Sequence, residues 1–333
     1  MWAFLFLWLI LTISAFLLIV GRCTFIIYII FTLPILITFT YFIFKNDTSQ
    51  STNNRKVFFT NFKFGGHRGS PVKAPENTIE SFEKAKEEGC DLVEFDVHMT
   101  SDGVPIIMHD ETTGRTSKVD MKVSETNWEQ LKNITLNSVD GISAKITTLN
   151  ATIEWCLKND IKMLFDIKDD NISLINKLAA VIKSYNLYDK VLVSSFNPVV
   201  PWRLKKLDSK IITGLTYDRS YYSYRDDFRA KPFTTNIFYH WFNEILDEIN
   251  MIISPLYVLP KFLGVDVMML SYKLISENTV REAHEKGFSV IAWTVNDVDY
   301  MRILVKLHVP FLTDVSYEVD NAMFMRTPSR ELA

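Results

Sequence analysis

Disulfide chemistry is almost absent from this chain. Its 333 residues hold three cysteines, one of which, Cys23, lies inside an apolar run. Cys90 and Cys156 allow one bridge at most, which excludes a small disulfide-stapled scaffold, and both are expected as free thiols in a core. A basic excess is missing too. Lysine and arginine number 36 against 39 aspartates and glutamates, a net charge of −3, so no positive field awaits nucleic acid. The N-terminus lacks the basic region and small-residue cleavage site of a secretory signal peptide. What stands there is a much longer apolar run, residues 2–44, interrupted by Gly21-Arg22-Cys23-Thr24 and a single Pro34. Each half, 2–20 and 24–44, matches the roughly 20 residues that cross a bilayer. A transmembrane anchor over 1–44 is expected, as one span or as a two-span hairpin.

Two signals bear on the side of the membrane, and they oppose each other. Lys45, Arg55, Lys56 and Lys63 follow the anchor and favour the cytoplasm. Four N-x-S/T sequons, at Asn46, Asn133, Asn150 and Asn171, favour a glycosylated catalytic domain in a lumenal or extracellular setting. The second reading is taken as the expectation.

Residues 45–61 are polar and turn-rich and read as a linker. Beyond it, short apolar strands alternate with helical patterns up to about residue 320, ahead of a tail at 321–333. Candidate strands cover 63–67, 91–97, 104–109, 161–167, 190–195, 211–216, 265–270, 288–294 and 310–314. Such alternation argues a parallel sheet with right-handed crossovers. Nine candidates are one too many for a (β/α)8 TIM barrel. The turn at Thr100-Ser101-Asp102-Gly103 is too short for a parallel crossover, which makes 104–109 the return arm of a hairpin. The remaining eight strands form the barrel, with its active site at their C-terminal ends.

The insertion at 218–263, between strands 211–216 and 265–270, is far longer than an ordinary βα loop. Within it, Phe238, Trp241, Phe242, Ile245, Ile249 and Ile252 recur at helical spacing, opposite Glu244, Asp247 and Glu248. Residues 237–259 therefore read as an amphipathic segment that lines a groove or lies in a lipid interface, emerging on the active-site face.

The densest chemistry lies between residues 65 and 110. Glu94 and Asp96 flank Phe95 on a strand, so both carboxylates share one face. Side by side among apolar neighbours they repel and lose solvation, unless a cation neutralises them. Oxygen-only ligands suit a hard ion, Mg²⁺ or Ca²⁺. His67, His109 and Arg68 nearby supply what metal-assisted phosphodiester chemistry needs.

His67-Arg68-Gly69, Pro75-Glu76-Asn77-Thr78, Glu94-x-Asp96, Asp102-Gly103 and His109-Asp110 resemble the glycerophosphodiester phosphodiesterase family in order and spacing. So do Ser194-Ser195-Phe196, Ala292-Trp293-Thr294-Val295-Asn296 and Thr313-Asp314, and the likeness runs from about 62 to 318. The resemblance implies hydrolysis of glycerophosphodiesters to glycerol 3-phosphate and an alcohol, with His67 and His109 as the acid/base pair. It implies a third metal ligand at Asp166, where the family usually has glutamate in an E-I-K motif and this chain has Asp166-Ile167-Lys168. It also implies that Trp293 covers the glycerol, and that a glycerol hydroxyl has a place as internal nucleophile. Arg68 suits two phosphate oxygens, and Lys168 a point charge on the transition state. Glu76 either binds metal or a glycerol hydroxyl, or caps the following helix and holds Arg68. His98 reads as structural. The runner-up reading is a lysophospholipase D acting on lysophospholipids, including N-acyl forms, and the third is a catalytically silent membrane adaptor on the same fold.

Overall fold

The structure, a computed structural model, describes residues 10–14, 22–219, 222–224, 232–253 and 257–320, without the side chains of 22–29 and 249–253. It divides into two units, Met1–Lys45 and Asn46–Ala333. In the first, helix α1 spans Arg22–Phe44 with Pro34 inside it. Most of the first apolar half, the tail at 321–333, and the side chains of Ile249 and Ile252 lie outside the described residues. Among the described residues no helix is long and apolar enough to cross a membrane. The span expected over 1–44 therefore rests on the sequence.

The second unit begins with α2 (Thr52–Phe59) and β1 (Phe64–Gly66), followed by α3 (Ile79–Glu87) and the hairpin of β2 (Leu92–Met99) and β3 (Pro105–Ile107). Next come α4 (Trp128–Leu131), α5 (Leu149–Lys158), β4 (Lys162–Ile167), α6 (Ile172–Ser184), β5 (Val191–Ser195), α7 (Val199–Leu207) and β6 (Ile212–Tyr217). The chain ends with α8 (Ile237–Ile253), α9 (Val258–Leu263), β7 (Val267–Ser271), α10 (Glu277–Glu285), β8 (Ser289–Trp293), α11 (Val298–Lys306) and β9 (Phe311–Thr313). All strands but β3 pair in parallel, and β1 pairs with both β2 and β9, so an eight-stranded barrel closes. The ninth, β3, lies antiparallel on β2 with Val97 opposite Ile107, the hairpin that its short turn requires.

Strand periodicity builds two cores. Phe95, Phe165 and Val193 face outward, against Phe82, Ile153 and Leu178 of the helices. Their alternates, Leu92, Leu164, Leu192, Ile212, Val267, Ile291 and Leu312, fill the barrel interior. That interior is tight. A Cβ at Gly65 would come within 2.7 Å of the Leu92 side chain, so β1 carries glycine where the other strands carry branched residues.

The expected linker at 45–61 is a correction. Residues 52–59 form α2, and its fully buried Phe58 joins the interior cluster together with Phe62. Ser51 donates to Asp266 Oδ1 at 2.5 Å and accepts from Lys205 Nζ at 2.7 Å, and Lys205 pairs with Asp266 at 2.7 Å. The segment was misjudged because its polarity is spent inward, on a buried ion pair that sequence spacing cannot show. The sequon at Asn46 is corrected too. Its buried amide donates to Trp202 O and Leu263 O, both at 2.9 Å, which leaves no room for a glycan, whereas Asn133, Asn150 and Asn171 are exposed.

Residues 110–148, to which the sequence assigned no structure, fold over a small core of their own. Ile106, Met108, Val123, Leu131, Ile134, Leu136 and Ile146 pack together, and isolated bridges such as Thr112–Lys122 tie the loops.

Cys90 and Cys156 are free and buried, as expected. Burial pushes the Cys90 thiol up to about 12 and raises Cys156 likewise. In a Cys23→Ser background, neither should react with a disulfide reagent at pH 8 until the protein is unfolded. Rapid native reaction of either would mean that the helix–sheet core opens locally.

Candidate active site

The periodicity that fills the barrel with aliphatic residues also builds the site. One and two steps beyond Leu92 on the same face come Glu94 and Asp96, and one step beyond Leu164 comes Asp166. Asp96 and Asp166 are direct neighbours across β2 and β4, and Asp166 is the neighbour of Ser194 on β5. One oxygen from each of Glu94, Asp96 and Asp166 lies within 4.8 Å of the others. The shorter Asp166 joins the group because its register sets it beside Asp96.

Each acid is braced. Asp96 Oδ2 accepts from Asn77 Nδ2 at 2.7 Å and lies 3.3 Å from Arg68 Nε. Glu94 Oε2 accepts from the Arg68 backbone N–H at 2.8 Å. Asp166 accepts from Ser194 Oγ at 3.1 Å and from Lys168 Nζ at 2.5 Å. Asp96 Oδ1 is buried and receives no hydrogen bond, its nearest cation being Lys168 Nζ at 3.0 Å. Arg68 and Asn77 both adopt the left-handed backbone region, with φ 56° and 60°. That conformation is uncommon for arginine, and here it turns the Arg68 N–H onto Glu94 while the guanidinium reaches Asp96.

The electrostatics are those of a buried cluster of carboxylates. Burial first, and then Asp96, push the Glu94 carboxyl up to about 8. Burial opposes the charge of Asp96 as well, but Lys168 and Arg68 outweigh it and hold that carboxyl far below the usual range. Burial resists the Lys168 ammonium too, and Asp166 and Asp96 overcome it, raising its pKa. Buried carboxylate oxygens, one of them without a hydrogen bond, fit a hard divalent ion.

Two histidines face the same cavity of about 210 Å³, lined also by Arg68, Glu94, Asp166, Lys168, Phe196 and Trp293. His67 directs Nδ1 at Asp314 Oδ1, 2.7 Å away, and keeps Nε2 3.9 Å from Glu94 Oε2. His109 directs Nδ1 at Asp110 Oδ1, 2.6 Å away. A carboxylate on Nδ1 fixes the ring and leaves Nε2 to the reaction. Burial would lower His67, but Glu94 and Asp314 raise it on balance, whereas burial lowers His109 despite Asp96. The two rings are driven apart in the sense that a proton donor and a proton acceptor need.

Glu76 holds Arg68, one of the roles expected of it. It pairs with Arg68 at 3.1 Å and receives both Arg115 nitrogens at 2.7 and 2.9 Å. The cap of α3 is Thr78, not Glu76, and among the described residues Glu76 is not one of the clustered metal-ligating acids. His98 Nε2 donates to the backbone carbonyl of His109, 3.0 Å away, a structural contact. Trp293 forms a wall of the cavity and packs edge-on to Phe196 at 5.4 Å, with Nε1 buried and unpartnered.

Sequence reasoning did not assign roles to Asn77, Asp110, Asp314 and Arg115. The first three adjoin residues that it singled out, in Pro-Glu-Asn-Thr, His-Asp and Thr-Asp, so proximity was the available signal. Arg115 had none. It lies in the 110–148 excursion and grips Glu76 and Asp110 at once, the latter at 2.5 Å, so it braces Arg68 and His109 from outside. Arg115→Ala is expected to cut kcat by roughly tenfold to a hundredfold with a smaller change in KM, the scale of losing a group that orients an inner one. Thermal unfolding run in parallel checks this. A fall in midpoint large enough to account for the lost activity would make Arg115 a fold support.

A profile of the glycerophosphoryl diester phosphodiesterase family matches residues 67–315, and the chain belongs to that family and is an enzyme of its class. Among its relatives, Glycerophosphodiester phosphodiesterase 1 of Mus musculus is 28% identical over 239 residues, covering 70% of this chain and 71% of the relative. The glycerophosphodiester phosphodiesterase of Caldanaerobacter subterraneus is 33% identical over 157 residues, 45% of this chain and 65% of that one. In fold, the chain is similar to a glycerophosphodiester phosphodiesterase from Agrobacterium tumefaciens, with TM-score 0.60, 16% identity, and 78% and 99% of the two chains covered. It is also similar to an Oleispira antarctica phosphodiesterase in complex with the product sn-glycerol-3-phosphate, with TM-score 0.59, 22% identity, and 79% and 97% covered.

Proposed function

We propose that this protein is a metal-dependent hydrolase that cleaves glycerophosphodiesters such as glycerophosphoinositol into glycerol 3-phosphate and an alcohol, held at a membrane by residues 1–44. The observation that carries the reading is the convergence of Glu94, Asp96 and Asp166 in the cavity that two carboxylate-braced histidines face. A relative of the same fold holds sn-glycerol-3-phosphate as product, which supports the choice of product here.

Glu94, Asp96 and Asp166 would hold Mg²⁺, with Ca²⁺ as the alternative hard ion. Bound there, such an ion would supply Lewis-acid polarisation of a phosphoryl oxygen and neutralise charge. The remaining work falls to side chains. Arg68 and Lys168 draw the phosphate in and offset the charge that builds on its oxygens. One imidazole Nε2 takes the proton from the attacking oxygen as the new O–P bond forms; where that oxygen is a water, glycerol 3-phosphate results directly, and where it is a glycerol hydroxyl, a cyclic phosphodiester forms that a water then opens in a second displacement. The other imidazole gives a proton to the departing alkoxide as the old P–O bond breaks, so no free alkoxide is released. Asp110 and Asp314 hold the rings and stabilise whichever is charged. Trp293 offers an apolar wall to the glycerol carbons.

A second reading, lysophospholipase D action on lysophospholipids including N-acyl forms, is favoured by one observation. The insertion after β6 carries aromatic side chains on its outer surface. Purified full-length protein with Mg²⁺ or Ca²⁺, offered glycerophosphoinositol, glycerophosphoethanolamine and a lysophospholipid, separates the readings. Glycerol 3-phosphate from the first two supports the leading one, and lysophosphatidic acid from the third supports the other. No turnover with metal bound would sink both and leave the silent adaptor. A lumenal or extracellular catalytic domain is proposed from the exposed sequons at Asn133, Asn150 and Asn171, and a glycosidase-induced mobility shift of the expressed protein checks it.

A further inference from the structure

Helix α8 turns Asp247 and His240 toward the protein, while Glu244 and Glu248 stay exposed. Asp247 is buried and accepts from the backbone N–H groups of Tyr222 and Ser223, at 3.1 and 2.9 Å, and from the Ser223 hydroxyl. His240, on the same side, packs edge-on to Tyr224 at 5.2 Å. The opposite side is apolar and open. Ile237, Phe238, Trp241 and Phe242 are 75, 79, 63 and 54% exposed, and Tyr239 beside them is 67% exposed. A helix whose Asp247 is buried and bonded while its aromatics face outward has been oriented by that contact, so its apolar side is available to something outside the chain.

The location of α8 indicates what that is. It lies in the connection that leaves β6, whose Thr216 lines the catalytic cavity. The same connection ends in α9, where the backbone N–H of Asn46 donates to Phe262 O at 3.0 Å and its amide to Leu263 O at 2.9 Å. Asn46 stands two residues after Phe44, where the apolar run ends. One connection therefore starts from the strand whose Thr216 lines the cavity, carries the outward aromatic helix, and ends against Asn46, two residues after Phe44. Trp, Tyr and Phe are the side chains that settle at the boundary of headgroups and acyl chains.

We propose that α8 is an interfacial helix that seats its Phe238–Trp241–Phe242 face in the surface of the lipid bilayer, bringing the cavity to lipid-borne diesters. The proposal deepens the functional reading and rests on it for the reaction. The helix, IFYHWFNEILDEINMII, has no lysine or arginine and carries Glu244, Asp247 and Glu248. Its attraction is thus apolar burial alone, suited to a neutral lipid surface and indifferent to salt.

The test uses the full chain with phosphatidylcholine vesicles, plain or brominated on the acyl chains. Wild-type tryptophan emission should be quenched by the brominated lipid, unchanged in high salt, and Trp241→Phe should remove a measurable part of that quenching. The Phe238→Asp/Trp241→Asp double variant should lose activity on lysophospholipid in vesicles by about tenfold or more, given the apolar area withdrawn from lipid. On soluble glycerophosphoinositol it should stay within about twofold of wild type. Equal quenching in wild type and Trp241→Phe overturns the proposal. So does an equal loss on both substrates, which would make α8 a support of the barrel, or no loss on either. If wild type cleaves neither substrate, the catalytic reading has failed, and quenching still decides the helix. Release of the chain by an alkaline wash would refute the anchor at 1–44 alone.

Discussion

Glu94→Gln is expected to reduce hydrolysis by about a thousandfold or more while leaving the metal-free protein at least as resistant to heat as wild type. His67→Ala and His109→Ala should each cost on the order of a hundredfold to ten-thousandfold, the range for removing a positioned acid or base. The reasoning for Glu94 begins with its burial. It is 2% exposed and stands beside Asp96 and Asp166, and the cost of ionising it there pushes its carboxyl up to about 8. A carboxylate in that position detracts from stability unless a cation joins the group. Its amide isostere keeps the shape and the acceptor for the Arg68 N–H but offers no charge to an ion. The measurement is a pair of thermal melts with and without Mg²⁺, alongside turnover of a soluble glycerophosphodiester. Magnesium should raise the wild-type midpoint through preferential binding to the folded state, and leave the variant unmoved. A variant that is inactive yet still shifted by Mg²⁺ would place the ion elsewhere. Collapse of the variant fold would make Glu94 structural.

The parts of this molecule that were legible in its sequence are those written at a fixed period. Alternation put Glu94 and Asp96 on one face, and the four-residue turn after Met99 forced β3 back along β2. The active-site end of the barrel followed from these. What stayed hidden depends on chain closure over long separations. Asp314 reaches His67 only because β9 returns beside β1, and Arg115 reaches Glu76 through loops with no hydrophobic period. Segment 45–61 was misjudged for a related reason. Of its aromatic residues, Phe58 is fully buried, but the polar residues before it look like solvent-facing turn formers until their partners are known. Helix α8 was legible as amphipathic, and Phe238, Trp241 and Phe242 of its stripe share one exposed side. Which side faces the protein was set by Asp247 meeting the backbone of Tyr222 and Ser223, a contact that no periodicity encodes.

The N-terminal junction gives the largest expected loss of stability. Lys205 on α7 and Asp266, just before β7, are both fully buried, 2.7 Å apart, and Ser51 bridges them. Burial, acting first, lowers the Lys205 ammonium pKa in spite of Asp266, so desolvation outweighs attraction at that nitrogen. Such a pair adds little net stability over an apolar one, but removing one member strands the other. Lys205→Met should therefore cost about 3–5 kcal/mol, because the Asp266 carboxylate keeps only Ser51 and the Thr213 N–H. For a domain of this size that is a fall on the order of 10 °C in the unfolding midpoint. The double variant Lys205→Met/Asp266→Leu should recover a good part of the loss, since it leaves no unpaired charge. Chemical denaturation of both variants and of Asp266→Leu closes the cycle, with a coupling of about 2 kcal/mol or more expected for groups in direct contact. Additive losses would show that the two side chains contribute independently. α2 would then be held by the packing of Phe58 and by the hydrogen bonds of Asn54 to Lys210 O and of Arg55 to Asp266 O and Gly287 O, and Ser51→Ala would be silent. A measurable cost of Ser51→Ala that disappears in the double variant would instead show that the ion pair locks α2, and with it the exit of the apolar segment, onto the base of the barrel.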